Sequence, residues 1–270
     1  MHIKYIILLL VFVAIPATGA KIEEAYKYIK NNQYGKALLI LEKLDKENNA
    51  LAQYYLAGMY SDGLGVQNDQ IKSLSYIKKS AENGLPHAMN RLGNLYLNGS
   101  NYIKADPTKA YKWLKNAVDK EYISAGVILG GALVHGEGVN KKPKEGLEIL
   151  KWAAAKGDKD AIFMVGNILY WGHSIKAKPA ESIEWLHKAA MLGDSEAQRT
   201  LAHAYSTGHG VREINMIKAY SWALLAQWQG DTKARQLINK VIINHSTKNQ
   251  REQGRILAMN IQKQIKMSNK

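Results

Sequence analysis

The sequence predicts an all-α solenoid built from helix-turn-helix repeats. Three observations predict it: a motif that recurs about every 36 residues, apolar residues at helical spacing inside each recurrence, and glycines in the turns between the helices. A repeat of this length is one helical hairpin, which cannot bury its apolar face alone. We therefore expect each hairpin to stack on its neighbours, with the core running along the array.

A recurring glycine marks the turn inside each hairpin. The stretches "DGLGV" at 62–66, "HGEGV" at 135–139 and "TGHGV" at 207–211 share one form, and two other turns have looser versions of it. The leading glycines, separated by 36, 37, 36 and 36 residues, are Gly63, Gly99, Gly136, Gly172 and Gly208. On its own, the histidine and glutamate of "HGEGV" would suggest a catalytic loop. Because the form recurs along the chain, it predicts a turn between two helices instead.

The helix before each turn is predicted from an alanine that stands eleven residues before the glycine. These alanines are Ala52, Ala88, Ala125, Ala161 and Ala197. A leucine or valine follows four residues later and a tyrosine or leucine eight residues later, which places all three on one helical face. A small residue comes directly after the four-residue position, where we expect it to let a neighbouring helix approach closely. These small residues are Ala57, Gly93, Gly130, Gly166 and Ala202.

The helix after each turn has small and large residues on one face. The large residues, which we expect in the core, are Tyr76, Trp113, Ile149, Trp185 and Trp222. At three joints between repeats a glycine ends this helix, and the aspartate that follows is placed to cap the next helix. These aspartates are Asp158, Asp194 and Asp231. Glu121 stands where the second joint needs a glycine, so the sequence predicts an irregular turn there.

The motif "A-x-x-x-L-G-x-x-Y-x-x-G-x-G-V", followed by "K-A-x-x-W-x-x-x-A" and a final G-D, resembles the Sel-one-like repeat (SLR) family, which is related to the tetratricopeptide repeat. The resemblance covers five repeats, at 50–85, 86–122, 123–158, 159–194 and 195–231. It implies a right-handed α/α superhelical solenoid whose first helices line a concave wall that binds an extended peptide or protein segment. Exported bacterial members of the family are linked to envelope enzymes or to host contact. The resemblance therefore implies a non-enzymatic interaction scaffold or adaptor.

The segments before and after the five repeats are predicted to be a signal peptide and capping helices. Residues 1–20 have the basic start, apolar run and small residues of a secretory signal peptide, which predicts a periplasmic or secreted protein; an uncleaved anchor is the alternative. Residues 21–49 resemble a tetratricopeptide unit and are predicted to be an N-terminal capping helix pair. Residues 232–270 are predicted to be C-terminal capping helices, with partner binding by the last helix as the alternative. Its predicted apolar face is Ile256, Leu257, Ile261 and Ile265.

Candidate binding residues are the first-helix positions that the resemblance places on the concave wall. Asn90, Asn94 and Asn98 form a ladder at helical spacing, although asparagine disfavours helix interiors. We expect their amides either to bind an extended peptide backbone or to form a polar solvated face. An exposed aromatic cluster around Trp171 is predicted to be an interface anchor, with packing against the adjacent turn as the alternative. The predicted protein-binding residues are Tyr54, Asn90, Asn94, Asn98, His135, Phe163, Asn167, Tyr170, Trp171, Arg199 and His203.

The sequence predicts no enzyme, no metal site and no cofactor. Its histidines form neither H-x-x-x-H nor H-E-x-x-H, and the turn around His135 offers no fixed geometry for a catalytic base. The chain has no cysteine, whereas the relatives associated with β-lactam hydrolysis or binding are rich in cysteine. A β-lactam-related hydrolase is therefore a remote alternative.

The charge of the chain indicates the kind of partner. The formal net charge is +14 at pH 7, with the lysines scattered along helices rather than gathered in one block. This balance favours an acidic protein or peptide as partner. A binder of an anionic glycan, peptidoglycan or lipid surface is the alternative, and solvated helix faces are the plainest interpretation of the lysines. No nucleic-acid recognition motif is present, and no apolar segment after residue 20 is long enough to span a membrane.

Overall fold

The structure, a computed structural model, describes residues 17–172 and 174–268, and in these ranges the chain is helical with no β-strand. The first helices of successive hairpins are α1 (Ala17–Lys30), α3 (Ala50–Asp62), α5 (Pro86–Asn98), α7 (Ile123–His135), α9 (Lys159–Trp171) and α11 (Ser195–Thr207). The second helices are α2 (Tyr34–Lys46), α4 (Gln70–Glu82), α6 (Pro107–Asp119), α8 (Pro143–Ala155), α10 (Pro179–Met191) and α12 (Met216–Trp228). Most of the predicted signal peptide, residues 1–16, lies outside the described residues.

The chain divides into two compact units, residues 1–125 (unit 1) and 126–270 (unit 2). In unit 1 each helix from α1 to α6 packs on the next one in sequence, and in unit 2 each helix from α8 to α12 does the same. This consecutive packing of helical hairpins confirms the predicted all-α repeat fold. The handedness of the superhelix stays a prediction.

The predicted aspartate caps are present at the joints between repeats. Asp158, Asp194 and Asp231 each accept a hydrogen bond from the backbone N–H three residues later, at 2.9, 2.6 and 3.0 Å. The glycine before Asp158 has a φ of +88°, a left-handed conformation that favours glycine. One glycine and one aspartate therefore end one repeat and begin the next, as predicted.

The prediction of an irregular turn at Glu121 is wrong. Glu121 takes a φ of +58°, the same left-handed region as the joint glycines. Its N–H donates to the Val118 oxygen and the Tyr122 N–H donates to the Ala117 oxygen, at 2.8 and 3.0 Å, and Gly157 and its successor make the same pair of bonds. The hydrogen bonds of the joint thus hold a side-chain-bearing residue in a conformation that costs roughly 1–2 kcal/mol.

Replacing Glu121 with glycine is expected to raise the free energy of unfolding by about 1 kcal/mol, because glycine adopts positive φ without the Cβ penalty. Glu121→Ala is the matched control: it removes the same charge but keeps the Cβ, so no gain is expected. Urea denaturation followed by circular dichroism measures both variants. Equal stabilities of the two variants would contradict the prediction.

The second helices begin in two different ways. In α4, α6 and α12 an aspartate or asparagine caps the backbone N–H of a lysine, and these lysines are Lys72, Lys109 and Lys218. Each ammonium lies over a tyrosine ring of the preceding first helix, at 4.2, 5.3 and 5.1 Å from the centroid; the rings belong to Tyr60, Tyr96 and Tyr205. In α8 and α10 the equivalent residue is a glutamate, Glu145 or Glu181, and a leucine replaces the tyrosine. These lysines therefore contribute to packing as well as to charge.

The expectation that the large aromatic residues of the second helices form the core holds only for Trp222, which is 3% exposed. Trp113 and Trp185 are half-buried, and lysine ammoniums lie over both rings. The buried residue is the next one along the helix, as in Leu114, Leu150 and Leu186, each 0% exposed. These leucines pack against the predicted small residues of the first helices. A Cβ on Gly93, Gly130 or Gly166 would lie 2.6–3.0 Å from the leucine side chain, which confirms the predicted close approach.

The C-terminal segment contains α13 (Thr232–Leu237), a π-helical turn (Ile238–Ile242), α14 (Ile243–His245) and α15 (Lys248–Ser268). Helix α15 packs on α12 through Gly254, Ala258 and Ile261. Ile256, predicted on this apolar face, is 51% exposed, so that part of the prediction is wrong. The packed face is rotated because Gly254 lies against α12, where a Cβ would be 2.8 Å from the Ile217 oxygen.

Candidate functional site

A cleft with a volume of about 440 Å³ lies in unit 1, on the first helices α3 and α5. Four of the predicted binding residues, Tyr54, Asn90, Asn94 and Asn98, line it. The other lining residues are Leu51, Tyr55, Gly58 and Asp62 of α3, His87, Arg91 and Leu95 of α5, and Gly99 and Tyr122. The structure thus brings Tyr54 and the asparagine ladder to the same opening.

One end of the cleft is aromatic. The imidazole of His87 lies 4.5 Å from the ring of Tyr122 and 6.3 Å from the ring of Tyr54, centroid to centroid. Burial lowers the pKa of His87 below its usual value and raises the pKa of Tyr122. The imidazole and the Tyr122 phenol are therefore neutral at pH 7. This end of the cleft offers ring surface with polar atoms at its edges.

Two residues that line the cleft have a buried polar atom without a hydrogen-bond partner, His87 Nδ1 and Asn90 Oδ1, and no other such side-chain atom occurs in the described part of the chain. A buried polar atom without a partner costs about 1–3 kcal/mol, and most such atoms are paired in folded proteins. Both atoms are shielded from solvent, so an occupant bonds to them only when the two side chains rotate toward the opening, and such bonds would remove that cost. The two atoms therefore mark His87 and Asn90 as lining residues with unused hydrogen-bonding capacity.

The three residues of the asparagine ladder are in two different environments. The side-chain amide of Asn98 donates to the side-chain oxygen of Asn94, and it also donates to the Asn94 main-chain oxygen at 3.1 Å. These two residues thus bond to each other on the surface of α5. Asn90 lies one turn earlier, with its side-chain oxygen buried and unpaired. The role of Asn90 as a ligand contact stays a prediction.

Gly58 keeps the middle of the cleft open. It lies inside α3, and a Cβ built on it would meet nothing within 4 Å. Glycine in a helix interior costs about 0.5–1 kcal/mol relative to alanine. The helix therefore contains a destabilising residue where packing does not require one, and the space that it leaves is part of the cleft.

Three other predicted residues meet in unit 2. Together they line a hollow of about 620 Å³ at the C-terminal ends of α9 and α11. The residues that line it are Tyr170, Trp171, Ala177, His203, Thr207, Gly208 and His209. The Tyr170 hydroxyl lies 2.8 Å from His203 Nδ1, and the Trp171 ring lies 5.3 Å from the His203 imidazole.

The expectation that Tyr170 is an exposed contact residue is wrong. Tyr170 is 0% exposed, because its ring lies among the rings of Trp171 and His209, at 4.8 and 4.9 Å. Burial and the nearby His209 lower the pKa of His203, so the imidazole bonded to Tyr170 is neutral at pH 7. Trp171, 48% exposed, is the aromatic residue of this group that lies on the surface.

The remaining predicted residues lie apart from both openings. Phe163 and Asn167 are half-buried on α9, and His135 is exposed at the end of α7. Arg199 bonds within the chain: its Nε lies 2.8 Å from an Asp231 carboxylate oxygen and its Nη2 lies 3.0 Å from a Glu196 oxygen. Its guanidinium therefore links α11 to the residue that caps α13. Partner binding by these four residues, as by the residues of the cleft, stays a prediction.

Gly58, Asp62, His87, Arg91 and Tyr122 also line the cleft, and none of them is among the predicted binding residues. Gly58 and Asp62 stand at the repeat positions of Asn94 and Asn98, but a glycine, a helix-terminal aspartate and the lone His87 show no distinctive pattern. Arg91 is adjacent to a wall position, and Tyr122 precedes the next first helix, so the repeat pattern placed neither on the wall. The available signal was a group of polar residues, Asn90, Arg91 and Asn94, on one side of a helix.

The positive charge of unit 1 lies mainly on the second helices. Helix α3 has no lysine or arginine and α5 has Arg91 alone, whereas α4 and α6 have three lysines each. The cleft, which is lined by first-helix residues, therefore does not share the strongly basic character of the whole chain. The lysines of α4 and α6 are not among the residues that line the cleft.

No constellation typical of catalysis is found in residues 17–172 and 174–268. These ranges contain no group of three histidine, aspartate or glutamate side chains placed to hold a metal ion. A Ser-x-x-Lys sequence occurs at 75–78, but Ser75 is exposed on α4 and lines none of the openings described above. Within the described helices, none combines the length and the apolar character needed to cross a membrane.

Known proteins share this architecture. A crystal structure of a Sel1 repeat protein from Oxalobacter formigenes superimposes with a TM-score of 0.73 at 26% identity, covering 90% of this chain and 99% of that one. A protective antigen of uropathogenic Escherichia coli with an SLR fold gives 0.72 at 24% identity, covering 92% of this chain and 54% of the antigen. Chitin synthase regulatory factor 3 of Schizosaccharomyces pombe is 29% identical over 128 residues, which are 46% of this chain and 14% of the yeast protein.

The sequence model of the Sel1 repeat matches five successive segments, at residues 50–85, 86–122, 128–158, 159–194 and 195–226. The segments begin and end close to the predicted repeats. Proteins with this repeat are generally non-catalytic scaffolds that bind other proteins. Because the repeat covers more than half of its length, the chain belongs to the Sel1 repeat family.

Proposed function

We propose that the protein is a non-enzymatic interaction scaffold that holds an extended segment of a partner protein in the unit 1 cleft. The observation that carries this proposal is a cleft lined by first-helix residues, two of which, His87 and Asn90, have a buried side-chain atom without a hydrogen-bond partner. A partner that supplied main-chain or side-chain groups to both would turn an unfavourable feature of the free protein into binding free energy.

The dimensions of the cleft fit a short extended segment. Its lining residues on α3 run from Leu51 to Asp62, which at 1.5 Å per residue is a length of about 16 Å. An extended chain advances about 3.3 Å per residue, so the cleft accommodates roughly five residues. Side chains of such a segment alternate between the cleft and solvent.

We place this scaffold in the periplasm or the secreted fraction, on the strength of the signal-like residues 1–20. An envelope enzyme as partner is supported by the name of the yeast relative, a regulatory factor of chitin synthase. Contact with a host protein is the other partner class that a secreted scaffold permits.

The test is affinity capture from an envelope extract with three forms of the protein: wild type, Gly58→Ala and Gly58→Phe. Alanine fits the open space at Gly58 and improves helix propensity, whereas a phenylalanine ring fills the middle of the cleft. We expect wild type and Gly58→Ala to retain the same partner, and Gly58→Phe to retain about tenfold less. Urea denaturation of all three forms shows that the fold is intact. Equal capture by Gly58→Phe would contradict the proposal.

Binding of an anionic glycan or lipid surface is the second candidate function, favoured by the lysines on α4 and α6. Exposed charge contacts weaken as salt screens them. Binding that disappears at moderate salt and is unaffected by Gly58→Phe would support this candidate against the cleft.

A further inference from the structure

We infer that the segment held in the unit 1 cleft has an aromatic or apolar side chain at the His87–Tyr122 end and a lysine or arginine side chain at the Asp62 end. This inference rests on the proposed function and specifies the chemistry of the partner. It differs from the acidic partner that the net charge of the chain favours.

The direction of the helices sets the two ends of the cleft. Helices α3 and α5 occupy equivalent places in successive hairpins, so they run in the same direction. Tyr54 and His87 lie near the helix starts and contact each other through their rings. Asp62 and Asn98 are the last residues of the same two helices. The cleft therefore has an aromatic end at the helix starts and a polar end at the helix termini.

The aromatic end selects an apolar or aromatic side chain. Half-buried rings of Tyr54, His87 and Tyr122 offer ring faces and edges for stacking. The side-chain oxygen of Asn90 at the same end is buried and unpaired, and after a rotation of the side chain toward the occupant it can accept a hydrogen bond. A tyrosine or tryptophan side chain satisfies both features, because each combines an aromatic ring with one hydrogen-bond donor.

The polar end selects a cation. The Asp62 side chain is exposed and has no ion-pair partner within the described ranges. The carboxyl ends of α3 and α5 add the partial negative charge that helix dipoles place there. An ammonium or guanidinium group of the occupant can pair with the Asp62 carboxylate, whereas a carboxylate there would be repelled by it.

The guanidinium of Arg91 indicates which groups the occupant has between these two ends. It lines the cleft one turn after His87, and none of the hydrogen bonds or ion pairs among the described residues uses its guanidinium. A guanidinium donates and does not accept, so it suits main-chain carbonyl oxygens of an extended segment. The order along the occupant is therefore an aromatic residue, main-chain acceptors and then a basic residue.

The test is selection of peptides on the full chain from a phage library of randomised seven-residue segments. We expect the enriched peptides to share an aromatic residue and a lysine or arginine about four residues apart, the spacing that a cleft of about 16 Å requires. Synthetic versions of these peptides are then titrated against Asp62→Lys. A loss of about tenfold in affinity is expected, together with recovery when the basic residue of the peptide is replaced by glutamate.

Glu82→Lys is the matched control, since it makes the same charge change at an exposed residue of the second helix α4. It should leave peptide affinity unchanged. If selected peptides bind and lose binding to Gly58→Phe, but contain no basic residue or ignore Asp62→Lys, the inference fails and the proposed function stands. If no selected peptide is sensitive to Gly58→Phe, the proposed function fails as well.

Discussion

Replacing Gly130 with valine is expected to lower the free energy of unfolding by about 3 kcal/mol, the upper part of the range for overpacking a helix interface. A Cβ at this position would lie 2.6 Å from Leu150 Cγ and 2.9 Å from the Gly146 main-chain oxygen. The leucine side chain can rotate, but the backbone of α8 can give way only if the two helices separate. The added methyl groups of valine increase the separation required.

Gly58→Val is the control for this substitution, because the same residue is introduced into a first helix where nothing lies within 4 Å. The higher helix propensity of valine predicts equal or slightly greater stability there. Urea denaturation followed by circular dichroism gives both free energies. If Gly130→Val unfolded at the same urea concentration as Gly58→Val, close approach of the helices at Gly130 would not be needed for stability.

Replacing Trp222 with alanine is expected to lower the free energy of unfolding by about 3–5 kcal/mol, the usual cost of removing a buried tryptophan. Trp222 is 3% exposed, and its ring lies 5.3 Å from the imidazole of His187, whose Nε2 is 3.1 Å from the Tyr205 hydroxyl. The substitution leaves a cavity beside this polar contact. Thermal and urea denaturation measure the loss.

Trp171→Ala provides the comparison within the same unit. Because Trp171 is 48% exposed, the expected cost is below about 1 kcal/mol. A small cost would keep Trp171 available as a partner contact. A cost as large as that of Trp222→Ala would instead show that Trp171 is a structural residue that packs on Tyr170 and His203, and its predicted binding role would lose its basis.

The fold was predictable because the sequence contains the same local signals five times. The glycine turns, the aspartate caps and the small residues of the first helices act within one or two helical turns, and each is read correctly from spacing alone. The errors in predicting the core arose where a rotation of the helix by one residue decides which side chain is buried. Trp113 and Leu114 are neighbours on α6, and periodicity cannot say which of the two faces the adjacent helix. The error at Glu121 has another cause. The backbone hydrogen bonds of the joint hold this residue at a positive φ, which residues with a side chain disfavour.

The candidate site was only partly predictable. Helical spacing brought Asn90, Asn94 and Asn98 together, but the bond between the last two depends on their side-chain rotamers. Tyr122 reaches the cleft from the joint beyond α6, and Tyr170 is buried by rings from another repeat. These are contacts between repeats, which a pattern defined within one repeat does not contain.

The two ways of starting a second helix have a consequence for how such arrays can be recombined. Tyrosine with lysine, or leucine with glutamate, forms a matched set whose members stand on opposite sides of the turn. If repeats were recombined at the turn between a first and a second helix, the two partners would come from different sets. A carboxylate would then lie over the negative face of a tyrosine ring, or a lysine would lie over a leucine. Crossovers at the joints between hairpins would keep each set intact. The modular unit of this protein therefore runs from joint to joint, and a chimaeric array should be cut there.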